Sequence, residues 1–461
     1  MMDTTGPNLA LWRRELLKSQ FRADVASGTA RPLVLPFDAL GSFLIPLIYL
    51  SIPHTRRPWL YRSRFLVLAL MFGLNLNMMM RAASTNMAVA YATGLAATWG
   101  LLWGMTVLVW TRPQFDAARV ERRRTKHRRE NGSVHGEVMS GGVKKDIGDL
   151  IMEKAPDETV AAALMDGHEY YWQAYPADEG FLTRLDWAYD YVTGFRGAGW
   201  TTAIPPIPSF QRPDKPTTSS PVNLSSIPVT TITGYHRHRT VRGFLRSRLF
   251  HLTLGYLTLD FCLVTMRHDP YFIFGPDYSP HLLPPHLTSL PASLLEIYRS
   301  LLSLGIILSA LYMIFSLSQV TQFLLSRRFP NATGCRGDLW QYPSVFGGFT
   351  TNILDNGLAG FWGGWWHQTF RMAFVAPTNY LIRWGILPQD KYHPLTQVVG
   401  SLVAFGQSSI LHAAGSWTTL PREARPWSPP VFFLSSLLGI TVQAGWEALL
   451  GKGLGRGVRC G

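Results

Sequence analysis

The chain has three cysteines in 461 residues, Cys262, Cys335 and Cys460, far apart and in no C-x-x-C spacing. That excludes a disulfide scaffold and a thiolate zinc site, and the three read as free thiols. Acidic side chains are scarce as well, 29 against 43 Lys and Arg, for a formal charge of +14. The excess does not point to nucleic acid. Basic residues cluster between apolar runs, and no zinc-finger or RNP-type signature accompanies them. Soluble acyl-transfer signatures are missing: there is no H-x3-D or H-x4-D and no G-x-S-x-G elbow. H-E-x-x-H and the phosphate-binding Walker A loop are absent too. No internal repeat is visible, which counts against an inverted-repeat transporter. The start, "MMDTTGPNLALWRRELLKSQ", lacks the apolar core of a cleavable signal peptide.

What the chain has instead is apolar length. Charged residues make up 16%, hydrophobic residues 47% and aromatics 13%, and mean hydropathy is +0.07 despite a long polar insert. A helix needs about 20 mostly apolar residues to cross a bilayer core. Such runs are 33–52, 65–80, 87–110, 249–266, 299–325, 372–386, 395–416 and 430–450. Of these, 65–80 is short, and 372–386 is flanked by Arg371 and Arg383. The pattern predicts an all-α polytopic membrane protein with about seven to nine transmembrane helices around a buried reaction tunnel. It divides the chain into N-terminal membrane helices (1–111), a polar insert (112–248) and C-terminal membrane helices (249–461).

The insert opens with "RVERRRTKHRRE" (119–130), a juxtamembrane basic run expected on the cytosolic side. That orientation puts "HTRRPWLYRSR" (54–64) in the cytosol and the N-terminus across the membrane. The stretch "PPIPSFQRPDKPTTSSPVNLSSIPVTT" is too polar to fold by itself and is expected to be partly disordered. "EYYWQAYPADEGFLTRLDWAYDYVTGFRG" carries enough aromatics to dock on the membrane domain as amphipathic helices. His236 and His238, in "GYHRHRT", lack carboxylates or thiols to complete a metal site and read as a solvated basic loop.

Ionisable residues inside membrane spans are costly and mark candidate functional positions. His412 lies in the apolar helix "LTQVVGSLVAFGQSSILHAAGSW", in line with Ser408, Ser401, Gln397 and Ser416 at helical spacing. Gly400, Gly406, Ala413, Ala414 and Gly415 allow a neighbour or a substrate to approach closely. His367 sits in "FWGGWWHQTFR" (361–371), among Phe361, Trp362, Trp365, Trp366 and Phe370. If that stretch is helical, Arg371 is the i+4 neighbour of His367, and Thr378 shares its face. Two bland readings stand beside these: a core histidine bonded to a carbonyl, and an interfacial aromatic belt.

The ordered motifs "FWGGWWHQTFR" and "SSILHAAG" resemble the wax-synthase-like branch of the membrane-bound O-acyltransferases. Upstream, "DLWQYPSVFGG" is similar to that branch's Trp-Pro-Pro-x-Phe-Gly segment, through Trp340, Pro343, Phe346 and Gly347. The resemblance covers about 335 to 420, roughly a fifth of the chain. Two positions depart from it: Gly360 and Gly364 stand where the branch often has an acid and an arginine. The layout is also similar to fungal members that acetylate terpenoid or polyketide–terpenoid alcohols in secondary metabolism.

The resemblance implies acyl transfer, with acetyl-CoA as co-substrate, to a hydroxyl of a hydrophobic alcohol, in the endoplasmic reticulum membrane. No bound cofactor, metal or nucleic acid is implied. His412 matches the family's catalytic histidine and would act as general base, with His367 assisting. His367, Gln368 or Ser408 could hold the developing oxyanion. Trp362, Trp366, Arg371 and Trp340 would line or support the site, and Arg327, Arg328 and Arg336 are candidates for the donor's phosphates. Long-chain wax or sterol ester synthesis is the alternative within the enzyme class, and a membrane transporter or a structural scaffold the alternatives outside it.

Overall fold

The computed structural model describes residues 9–125, 155–213, 219–275, 283–419 and 426–454. Cys460 and residues 126–130 of the basic run lie outside the described residues. In chain order the main helices are α1 Leu9–Ala26, α2 Ile45–Ser51, α3 Arg64–Arg81 and α4 Met87–Met105. Then follow α5 Glu158–Met165, α6 Phe181–Thr193, α7 Val241–Met266 and α8 Ala292–Arg328. The last three are α9 Arg371–Arg383, α10 Pro394–Trp417 and α11 Ser428–Leu454.

Among the described residues six helical runs are long and apolar enough to cross a bilayer, those containing α3, α4, α7, α8, α10 and α11. The other two expected spans are shorter. Residues 33–52 form a π turn at Leu40–Leu44 and the seven-residue α2, with Pro46 in its first turn. Residues 372–386 form α9, thirteen residues with Pro377 inside, which is roughly 20 Å of helix. The run holding α4 is the innermost, 67% buried against 6% for that of α11. Its sequence explains this: "MAVAYATGLAATWGLLWGM" is apolar all round and carries Ala90, Gly94, Ala97 and Gly104 for close helix contacts.

Over its described residues the insert is built around a small sheet. Strands β1 Ala118–Arg124 and β2 His168–Ala174 pair antiparallel, and β3 Ser220–Pro221 adds to β2. The start of the aromatic stretch expected as helix, up to Ala174, is therefore strand, because Tyr170 and Trp172 alternate into a core with Val120, Val160 and Ala161. The Pro/Ser-rich stretch contributes Phe210 and Ile227 to the same core. α6 is helical as expected. Its Trp187 and Tyr191 share a second core with Trp103 of α4 and Leu411 of α10, and Trp103 Nε1 donates to Val192 O at 2.9 Å. The insert thus gains its apolar burial from the membrane helices as well as from itself.

Charge finishes the insert. Buried Arg119 donates to Asp186 at 2.6 Å and to Gln173 at 2.9 Å, and reaches Asp190 at 3.3 Å. Asp186 and Asp190 also hold Arg336. In "GYHRHRT", His236 is exposed and His238 half-buried, but Arg237 is 5% exposed and donates to the carbonyls of Pro228, Ile227 and Pro156. That segment is a clamp, not a solvated loop. The Arg56–Asp178 pair at 2.7 Å and the Gln114 bond from His54 N at 2.8 Å put residues 54–56 beside the insert, as the charge pattern expects.

Candidate active site

The two histidines are linked inside the bundle by a run of aromatic rings. α9 and α10 run side by side, with the Arg383 end of α9 bonded to Trp110 O. Gln407 Nε2 donates to Phe374 O at 3.1 Å, thirteen residues beyond Pro394 and so roughly 20 Å along α10. The residues just before α9 therefore sit well inside the membrane-spanning bundle, at the level of the last turns of α10.

Those residues are not a regular helix. The stretch passes through π turns at Thr350–Leu354 and Phe361–Trp365 and a 3₁₀ turn at Gln368–Phe370. Gly357 lies at φ 56°, ψ −140°, a conformation for glycine. Trp366 (ψ 139°) and His367 (ψ 118°) are extended. Irregular backbone is tolerated at membrane depth only where protein side chains or a cavity satisfy it. Here Gln443 of α11 accepts from Leu358 N and Ala359 N at 2.9 and 3.3 Å and donates to Asn356 O. Asn352 Nδ2 donates to Gly348 O and Thr233 O at 2.6 and 2.9 Å. Gln368 Nε2 donates to Trp366 O and Trp362 O at 2.6 and 3.0 Å, and Arg371 Nη1 to Gly363 O at 2.7 Å and Gln368 Oε1 at 2.6 Å.

This corrects two expected roles. Arg371 is not the helical i+4 partner of His367, because the chain is extended at His367 and α9 begins only at Arg371. Gln368 has both ends of its amide engaged in the turn, so it shapes the site's backbone. The two glycine departures have a packing cause. A Cβ at Gly360 would run into Asn352 O, and one at Gly364 into Asn352 Oδ1. Asn352 occupies the space that an acid and an arginine would need.

His367 is ringed by Trp366, Phe370, Phe315 and Phe346 at centroid distances of 5.3, 5.5, 6.2 and 6.3 Å. Its Nδ1 is buried without a hydrogen-bond partner among the described residues. Trp366 stacks on Phe361 at 5.4 Å. Trp362 packs on Phe405 and Phe433, both at 5.6 Å.

Phe433 carries the wall on to the second histidine, stacking on His412 at 4.9 Å and 26°. Through Phe433, Trp362 and Trp366 a run of ring contacts leads from His412 to His367. The expected histidine pair is thus brought together by α10, α11 and the turn before α9. His412 Nδ1 is 2.8 Å from Tyr91 OH, on α4. Its Nε2 has no hydrogen bond with any described residue. Ser408 is half-buried one turn back on the same helix.

Tyr91 and Phe433 are missed by reading motifs alone. Tyr91 is 321 residues from its partner, and the one signal was a lone phenol in a small-residue helix. The small residues act as the sequence suggests, but toward a helix neighbour. A Cβ on Gly415 would lie 2.8 Å from the Tyr91 ring, and one on Gly94 would strike Ala414 O. Thr418 Oγ1 bonds Ala90 O at 2.7 Å and Gly94 N at 3.1 Å, fixing the crossing of α4 and α10.

Trp340 is not in the site. It is 1% exposed in the insert's core, edge-on to Phe210 at 5.1 Å. The segment it belongs to is divided by the fold: Trp340 holds the insert, while Phe346 reaches His367 and Gly347 N bonds Trp365 O at 3.3 Å. Arg336 is consumed by Asp186 and Asp190, and Arg327 and Arg328 lie exposed over Phe323 and Phe329. Cys262 and Cys335 are free, buried thiols.

Residues 342–435, which enclose both histidines, the broken segment and the start of α11, match the membrane bound O-acyl transferase family. Acetyltransferase nanB of Aspergillus nanangensis is 35% identical over 60 residues, 13% of this chain and 14% of that protein. The similarity thus spans about a seventh of that relative's length. No solved structure matches the chain. The segment that carries the two histidines is thus the part of the chain that is similar to the membrane bound O-acyl transferase family.

Proposed function

We propose that the protein transfers an acetyl group from acetyl-CoA to a hydroxyl of a hydrophobic alcohol of the terpenoid or meroterpenoid class. We place it in the endoplasmic reticulum membrane. The observation that carries the reading is His412, whose Nδ1 is occupied, whose Nε2 has no hydrogen bond among the described residues, and which aromatic rings link to a second histidine. The family and the resemblance to a fungal acetyltransferase support acyl transfer.

In this mechanism Nε2 of His412 takes the hydroxyl proton as the oxygen attacks the thioester carbonyl carbon. Collapse of the tetrahedral intermediate breaks the C–S bond and releases the thiolate, which recovers the proton from Nε2. The thiolate is a good leaving group, so no acyl-enzyme is needed. General-base help of this kind is worth about 10²–10⁴-fold. The aromatic wall keeps water, the competing nucleophile, from the thioester. His367, with its unpartnered ring nitrogen, is the group available to steady the carbonyl oxygen. For the donor's phosphates we assign Arg248 and Arg196 in place of the surface arginines. Arg248 is 1% exposed, and Arg196 donates to Ser344 O and Pro343 O at 2.6 and 3.1 Å. Neither pairs with a carboxylate among the described residues.

The test is ester formation in microsomes carrying the chain, from labelled acetyl-CoA and a panel of terpenoid alcohols. We expect product with wild type and a loss of at least about 100-fold in His412→Ala. Full ester formation by a folded His412→Ala would remove His412 as base. Product from long-chain acyl-CoA and fatty alcohol or sterol alone would replace the acceptor class by wax or sterol ester synthesis.

A further inference from the structure

We infer that Tyr91 is the positioning residue of His412: its phenol oxygen accepts from Nδ1–H, which fixes the tautomer whose lone pair is on Nε2. The inference rests on the acyl-transfer reading for its kinetic consequence, but not for its structural one.

A neutral imidazole has one N–H, and the partner of one nitrogen decides which nitrogen is left basic. His412 Nδ1 has Tyr91 OH at 2.8 Å, and Nε2 has no described partner. When Nε2 takes a proton, both nitrogens carry hydrogen, and Nδ1–H then needs an acceptor. The phenol oxygen is the one within reach, and it can accept before and after the transfer without exchanging a proton. A carboxylate would orient the ring more strongly, but an ionised carboxylate at membrane depth is costly. A neutral phenol orients without burying a charge.

The surroundings hold this geometry from three sides. Gly415 leaves space for the Tyr91 ring, which a Cβ would crowd at 2.8 Å. Thr418 ties α10 to Ala90 O and Gly94 N, one residue before Tyr91 and three after it. Phe433 stacks on the imidazole at 4.9 Å, leaving the ring little freedom to turn. Tyr91 touches His412 and not the reacting atoms, so its effect passes through the imidazole.

The experiment compares wild type, Tyr91→Phe and His412→Ala in lipid nanodiscs. Nitrogen NMR of ¹⁵N-histidine protein, with His412 assigned by the signal lost in His412→Ala, reads the tautomer. Wild type should be protonated at Nδ1, and Tyr91→Phe should shift toward a mixture. A wild-type His412 protonated at Nε2 overturns the inference whether or not ester is formed. In the ester assay Tyr91→Phe should lower kcat about tenfold, the scale of one lost hydrogen bond to a charged group. KM for the donor should stay within about twofold, and the thermal midpoint should not move. An unchanged kcat, or a loss matched by a fall in the thermal midpoint, also overturns it. If wild type makes no ester but shows the Nδ1–H tautomer that Tyr91→Phe disturbs, acyl transfer fails and the positioning role of Tyr91 stands.

Discussion

Two histidines on the insert's side of the membrane make the residue-scale prediction. His54 is 4% exposed and packs on the Tyr49 ring at 4.2 Å. Burial pulls its pKa from 6.5 down to about 4. His238, beside Arg248, His236 and His251, is likewise lowered to about 4, first by burial and then by Arg248. Between these values and 6.5 the unfolded chain binds more protons than the folded one, so stability rises with pH across that window. It is fully present above 6.5 and is lost as pH falls toward 4. The thermal midpoint in nanodiscs should therefore drop as pH goes from about 7 to 5. His54→Gln, which removes the titrating ring, should flatten that slope; an identical slope would contradict the buried, neutral assignment.

At the scale of elements, the stretch before α9 shows how a break is held in a membrane bundle. Three backbone groups at Asn356, Leu358 and Ala359 depend on one side chain, Gln443, from α11. At membrane depth there is no water to take over a backbone group left without a partner, and the loss is costly. Gln443→Leu is expected to lower the thermal midpoint and to reduce ester formation at least about tenfold, because the turn that carries His367 shifts. Thr441→Leu is the control, since Thr441 is exposed and bonds only its own helix at Leu437 O. Equal behaviour of the two variants would show that the break does not depend on α11. This element was only partly legible. The aromatic run announced a packed wall, but its apolar content reads as helix. The bend needs a positive φ at Gly357 and a partner 85 residues downstream.

At the scale of the molecule, the insert and the bundle are joined through shared cores and through Trp340. Trp340→Ala removes a fully buried indole, and loss of such a side chain costs about 3–5 kcal/mol. We expect a lower thermal midpoint and faster proteolysis between residues 155 and 213, with activity per folded molecule retained. A selective loss of kcat without loss of stability would return Trp340 to the site. Its family motif drew it toward the histidines, and the same motif's Phe346 is there. A motif records sequence neighbours, while a loop crossing from the insert into the bundle sends its two ends to different cores.

Sequence alone determined the membrane class, the long apolar helices and the two histidines. A bilayer acts on each residue's own polarity, so length and composition of a run suffice, and an ionisable group in such a run stands out. Only the tertiary structure decided the partners: Tyr91 for His412, Asn352 against Gly360 and Gly364, Gln443 for the broken backbone, and Asp186 and Asp190 for Arg336. Each is a contact between residues far apart in the chain, chosen by which helices cross and how closely. Hydrogen bonds and close packing act over a few ångströms, and at that range helix crossings, not local composition, choose the neighbour.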